Sequence, residues 1–251
     1  MPEDECVFSR GGTQTTAPNQ NPLAFDTDDK NLVAALASDG HATIAGALPK
    51  TYCDELSAIF DDDCFGFREL LTMEAIQELA RSTQVKQLAK AILGDSAFAV
   101  SGTFFNKIPA ANWKVPWHQD RMIKVQKRFD SDGWGPWSTK DGVIHVQPPS
   151  SVMSRVLAIR LHLDDCPSDN GALRVMPGSH RFGLLTSEQT ESLLKQPDTI
   201  CPVSKGGAFL MSPLLLHSSS PSSSPKSRRV VHLEFAADEL PEPFQWRYRV
   251  A

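Results

Sequence analysis

The sequence predicts a mainly β domain with helices packed outside it, built as a sandwich or jelly roll. Three observations carry this. Helical periodicity is concentrated in residues 26–94. From Ala97 onward, short strand-like runs recur, punctuated by Pro, Gly, Asn, Asp and Ser. A length of 251 residues suits one all-β domain. Helices first and strands afterwards argue for helices flanking a β core.

Residues 1–25 are rich in Gly, Thr, Asn, Gln and Pro without periodicity. They read as a flexible tail or an arm ordered on binding, and a single domain is expected over 26–251. Asp26 or Thr27 can cap a first helix with Leu32, Val33 and Leu36 on one face and Gly40 as its stop. Cys53, Leu56 and Phe60 recur at helical spacing within 51–60. Thr72 can cap a third helix carrying Met73, Ile76, Leu79 and Ala80. Val85, Leu88, Ala89, Ile92 and Leu93 continue or restart it until Gly94. Strands are expected at 98–108, 122–126, 152–163, 173–176, 208–212 and 228–235, within a core spanning 97–236. One helix, 187–194, interrupts them, and Thr186 with Gln189 forms a capping box at its start.

The net charge of −5 argues against non-specific nucleic-acid binding. No apolar run reaches the length of a membrane span. The acidic start, Met1-Pro2-Glu3-Asp4-Glu5, has the wrong charge for a signal peptide. The five cysteines are scattered, odd in number and without CxxC spacing. That argues against a disulfide framework or structural zinc, so a cytoplasmic setting is expected.

The chemistry centres on Val115-Pro116-Trp117-His118-Gln119-Asp120. Side chains two apart on a strand share a face, so His118 and Asp120 can hold one ion while Gln119 points away. His217 ends the apolar run 208–216 and supplies a third ligand. Two histidines and a carboxylate on one face of an ion leave the opposite positions open, as in non-haem Fe(II) oxygenases. Eleven residues on, Arg228 opens another strand and offers a fork for a carboxylate. Alternation alone does not separate it from Arg229. On the strand 156–163, Leu157, Ile159, Leu161 and Leu163 make an aliphatic face, leaving Arg160 and His162 on the cavity side. Residues 132–149 form a long irregular segment, read as a substrate lid with Trp134, Trp137, Lys140 and His145 as contacts, the alternative being a structural loop stapled by its tryptophans. Lys124, Lys127 and Arg128 follow the strand carrying His118 and Asp120; such a basic run is more often a solvated face than a site for an anionic substrate. His180 follows Pro-Gly turn chemistry and is set aside as a ligand.

Three motifs in order carry a resemblance: 117–120, then Asn170-Gly171-Ala172-Leu173-Arg174-Val175-Met176-Pro177-Gly178-Ser179-His180, then His217 with Arg228. From about Ala99 to Ala236 the chain resembles the phytanoyl-CoA dioxygenase family of Fe(II)/2-oxoglutarate oxygenases. The resemblance implies a double-stranded β-helix of the cupin type. It implies Fe(II) on His118, Asp120 and His217, with O2 as the oxidant. The family's spacing selects Arg228 for the far carboxylate of 2-oxoglutarate, helped by Ser219 and Asn106; Arg160 is counted with these cofactor contacts. Ser222 stands where the family often has Asn. Family members that halogenate lack the carboxylate kept here as Asp120. The expected activity is therefore hydroxylation of a small-molecule metabolite, with release of succinate and CO2, by a monomer or homodimer. The alternatives are a cupin enzyme using another divalent metal and a non-catalytic small-molecule-binding module.

Overall fold

The computed structural model describes residues 29–61 and 63–251. The tail expected over 1–25 and the caps Asp26 and Thr27 lie outside them. In chain order the elements are α1 (Asp29–Ser38), β1 (His41–Ile44), α2 (Lys50–Ser57), β2 (Gly66–Phe67), α3 (Glu74–Arg81), α4 (Thr83–Leu93), β3 (Phe98–Lys107), β4 (Val115–His118), β5 (Ile123–Val125), β6 (Trp137–Lys140), β7 (Val143–Val146), α5 (Ser150–Met153), β8 (Val156–His162), β9 (Leu173–Val175), α6 (Ser187–Leu193), β10 (Thr199–Cys201), β11 (Ala208–Met211), β12 (His217–Ser219) and β13 (Arg228–Ala236). Among the described residues no helix is long and apolar enough to cross a membrane.

The strands make a double-stranded β-helix. A six-stranded sheet has the order β1-β11-β8-β13-β3-β2, and a four-stranded sheet the order β10-β9-β12-β4. Every pairing between named strands is antiparallel. The larger sheet is sided. Leu157, Ile159 and Leu161 of β8, with Leu163 just past its end, join Val231, Leu233 and Phe235 of β13 in the main core beneath the helices. The opposite side of β8 places Ala158 against Leu173, Val175 and Phe209 between the two sheets, with Arg160 beyond it on the cavity wall. The aliphatic face read from the sequence is therefore the helix side, and the polar-bearing face is the cavity side.

Helix ends follow local chemistry. Ser82 restarts the helical run as the cap of α4, its Oγ accepting from Val85 N, and Gly94 closes it at φ +87°. The capping box of α6 is present, with Thr186 and Gln189 exchanging bonds. Two expectations fail. Thr72 ends a 3-10 turn and its hydroxyl donates to Glu69 O at 2.6 Å, so it does not cap α3. Val33 is 45% exposed, because α1 buries Leu32 and Leu36 and the next position turns outward. Cys64 is disulfide-bonded, while Cys53, Cys166 and Cys201 are free and buried.

The segment 132–149 is not an irregular lid. Its β6 and β7 form a hairpin that extends β5 into a three-stranded sheet. The tryptophans staple this hairpin to the C-terminal segment: Trp134 stacks on Phe244 at 3.7 Å between centroids, and Trp137 lies 6.2 Å from the same ring. Such stacking adds to the area that each aromatic buries. Trp134→Ala is expected to lower unfolding free energy by about 3 kcal/mol in denaturant titrations. Metal affinity of the folded protein should be unchanged.

Candidate metal centre

The short sheet brings two distant pieces of chain together. His217 of β12 pairs directly with His118 of β4, and Val175 of β9 flanks it on the other edge. Asp120, two past His118, is held by its amide donating to Pro213 O at 2.9 Å. One ligand atom from each of His118, Asp120 and His217 lies within 4.8 Å of the others. The Nε2 atoms stand 3.5 Å (His118) and 3.7 Å (His217) from the Asp120 carboxylate.

Both histidines are set for metal binding by their own backbone. His118 Nδ1 lies 2.9 Å from Pro116 O, and His217 Nδ1 lies 2.8 Å from Leu215 O. A carbonyl only accepts, so Nδ1 carries a proton and each Nε2 is the ring atom turned towards Asp120. Burial pushes His217 down to about 4, against the opposing pull of Asp120. Burial acts to raise the Asp120 carboxyl, yet His217 and His118 together hold it below the usual carboxylate range. Two imidazoles and one carboxylate are a donor set that fits a divalent iron.

Gln119 turns away as expected. Its amide donates to Leu214 O at 2.6 Å and Gly183 O at 2.8 Å, and its carbonyl accepts from Leu185 N at 2.9 Å. It ties the ligand strand to the loop beside it. The motif 170–180 is support for the ligands. Gly171 adopts φ +65°, and a Cβ there would meet Ser220 O at 3.1 Å and Lys107 Nζ at 3.3 Å. Ser179 Oγ accepts from Leu216 N at 2.8 Å, beside the ligand His217. His180 packs over Gly40, away from the triad.

The triad opens on a cavity of about 500 Å³ between the two sheets. At one end Arg228 and Ser219 both donate to Gly171 O. Here the sequence reading missed a residue. Lys107 is fully buried, and its ammonium donates to Ser219 Oγ at 2.7 Å and Ser220 O at 2.8 Å. Burial beside Arg228 pushes it down to about 7. Asn106, expected at this position, shares the helix-side face with Phe104. The alternation Ser101, Thr103, Phe105, Lys107 was the available signal, and the first three line the cavity.

Of the other expected contacts, Arg160, Lys140 and His145 line the cavity. Trp134 and Trp137 pack in the hairpin core instead. His162 is buried next to Val230 in the strand register, is not part of the cavity wall, and is kept neutral by burial and by Arg160. Arg229 pairs with Asp164 at 2.8 Å, which leaves Arg228 facing the cavity. Lys124 donates to Glu69 at 2.7 Å, so its charge is already matched, and Lys127 and Arg128 do not line the cavity. Ser222 bonds Asn170 Oδ1 at 2.6 Å and holds the loop after His217.

The profile of the phytanoyl-CoA dioxygenase family matches residues 54–230. No curated protein matches the chain by sequence. Solved structures with the same fold include the epimerase SnoN in complex with Fe3+, alpha-ketoglutarate and nogalamycin RO. The TM-score is 0.64 at 15% identity, covering 86% of this chain and 91% of that one. EctD from S. alaskensis with bound Fe gives 0.63 at 18% identity, covering 95% and 84%. EvdMO1 gives 0.63 at 19% identity over 83% of this chain, which spans half the length of that protein.

His217→Ala and Asp120→Ala are each expected to weaken Fe(II) binding by more than the roughly 10–100-fold typical of an outer-shell loss. Anaerobic competition against a chromophoric chelator measures this.

Proposed function

The chain belongs to the phytanoyl-CoA dioxygenase family, and from that premise we propose an iron- and 2-oxoglutarate-dependent dioxygenase that hydroxylates a C–H bond of a small-molecule metabolite. The observation that carries it is the pairing of a His–Asp–His cluster with three buried cations. Lys107, Arg160 and Arg228 are all under a tenth exposed, and none is ion-paired with an acidic side chain among the described residues. Buried charge of one sign is costly until something matches it. A dicarboxylate chelating a metal on the triad would do so.

When bound, iron with 2-oxoglutarate and O2 supplies the oxidation: one oxygen atom goes to succinate as CO2 leaves, and the other to the substrate. The protein's residues do the holding. His118, Asp120 and His217 would hold the ion. Arg228 offers two parallel N–H groups to the far carboxylate. Lys107 adds a second positive charge there and holds the Ser219 hydroxyl in place. Lys140 and His145 lie on the wall that remains for a substrate. Nothing in the cavity marks a site for coenzyme A. Asp120 supports hydroxylation over halogenation.

The test is anaerobic visible spectroscopy on adding Fe(II), then 2-oxoglutarate. A weak metal-to-ligand charge-transfer band is expected in the wild type and absent in His217→Ala. Arg228→Ala and Lys107→Met should each raise the 2-oxoglutarate needed by about tenfold or more, the scale of a hydrogen bond to a charged group. Iron binding without the band would turn the reading to a cupin using another metal. No iron binding would turn it to a non-catalytic module.

A further inference from the structure

The floor of the cavity carries a line of polar side chains, of which only Arg160 has so far entered, as one of three buried cations. Arg160 of β8 stands opposite His232 of β13 in the strand register, and His232 stands opposite Thr103 of β3. Arg160 Nη1 lies 3.1 Å from His232 Nδ1. A guanidinium only donates, so Nδ1 is the acceptor and His232 is neutral with its proton on Nε2. That Nε2 lies 3.8 Å from Glu234 Oε1, on a side chain only 13% exposed. Glu234 and Asp120 are the two acidic residues of the cavity wall.

The line ends on an unsatisfied group. Arg160 is 7% exposed, and its Nε is buried with no hydrogen-bond partner. Its guanidinium lies 5.4 Å over the Phe105 ring, which fixes its plane from a third side. Along β13, Arg228 stands four residues from His232, the register partner of Arg160, at the end of the cavity where it shares Gly171 O with Ser219. The two guanidiniums are therefore set apart along the same wall. A 2-oxo dicarboxylate spanning that distance has one carboxylate at each end, and Arg228 with Lys107 matches only the far one.

The geometry points to Arg160 as a second anchor of the co-substrate, for the carboxylate next to the metal, with His232 and Glu234 as the positioning residues that aim it. The assignment rests on the 2-oxoglutarate reading and adds a separate point of recognition to it. Arg160 grips the part that all 2-oxo acids share, and Arg228 the part that distinguishes 2-oxoglutarate.

Calorimetric titration of the full, Fe(II)-loaded chain under anaerobic conditions tests this with two ligands, 2-oxoglutarate and 2-oxopentanoate, which lacks the far carboxylate. Arg228→Ala is expected to erase the preference between them. Arg160→Gln should weaken both by one common factor of about ten or more, and Arg160→Lys should recover part of it. Glu234→Gln, which keeps the shape, should weaken both by a smaller common factor. Iron affinity should hold in all of these variants. An Arg160→Gln effect on 2-oxoglutarate alone, or on neither ligand, overturns the assignment, as does loss of iron in that variant. Unchanged affinities in Glu234→Gln remove the positioning role. Wild-type protein that holds iron and binds neither acid would instead sink the oxygenase reading itself.

Discussion

The pairing of β12 with β4 sets everything in the cavity. It places His217 opposite His118, although the two are far apart in sequence. Side chains alternate along a strand, so a one-residue slip would turn His217 into the opposite face. Three devices hold the register. Met176 N donates to Leu216 O at 2.9 Å, Ser179 Oγ accepts from Leu216 N, and Gly171 supplies the left-handed turn that lets β9 run beside β12. Gly171 O is also the acceptor shared by Ser219 and Arg228. The support of the metal ligands and the support of the anion end are thus one piece of backbone.

The charged floor is tolerable because the sheet beneath it is heavily buried on its other side. Leu157, Ile159, Leu161, Leu233 and Phe235 are all within 2% of full burial. Each such side chain contributes roughly 1.5–3 kcal/mol against exposure. Burying three cations works against that, and the lowered pKa of Lys107 is the visible sign. A stable core on one face lets the opposite face hold groups that are satisfied only when a ligand arrives.

What could be read from the sequence was whatever depends on alternation within one strand. His118 and Asp120 come together and the two faces of β8 separate as alternation implies, and Arg228, which only the family's spacing set apart from Arg229, faces the cavity. The fold class holds for the same reason, since turn residues and short apolar runs are local signals. The errors arise where a distant partner decides. On β3 nearly every residue is buried, so phase cannot be taken from hydrophobicity; Asn106 is offered by the family resemblance, and only alternation points to Lys107 beside it. Trp134 and Trp137 read as a lid because Phe244, the ring they stack on, comes near the end of the chain. The partner of Lys124, Glu69, lies among the helices, where no local pattern links the two.

The orienting bonds of His118 and His217 have a consequence of their own. Each runs to the carbonyl two residues earlier in the same chain, and every amino acid has that carbonyl. No neighbouring side chain has to be retained to aim these two rings. The far wall, with Lys140 and His145, is carried by a hairpin that pairs with neither of the two main sheets. Substitutions in that hairpin can therefore reshape what enters the cavity while the ring orientations stay as they are. A scaffold wired in this way is suited to diversification, because the part that selects the molecule and the part that aims the metal ligands can drift separately.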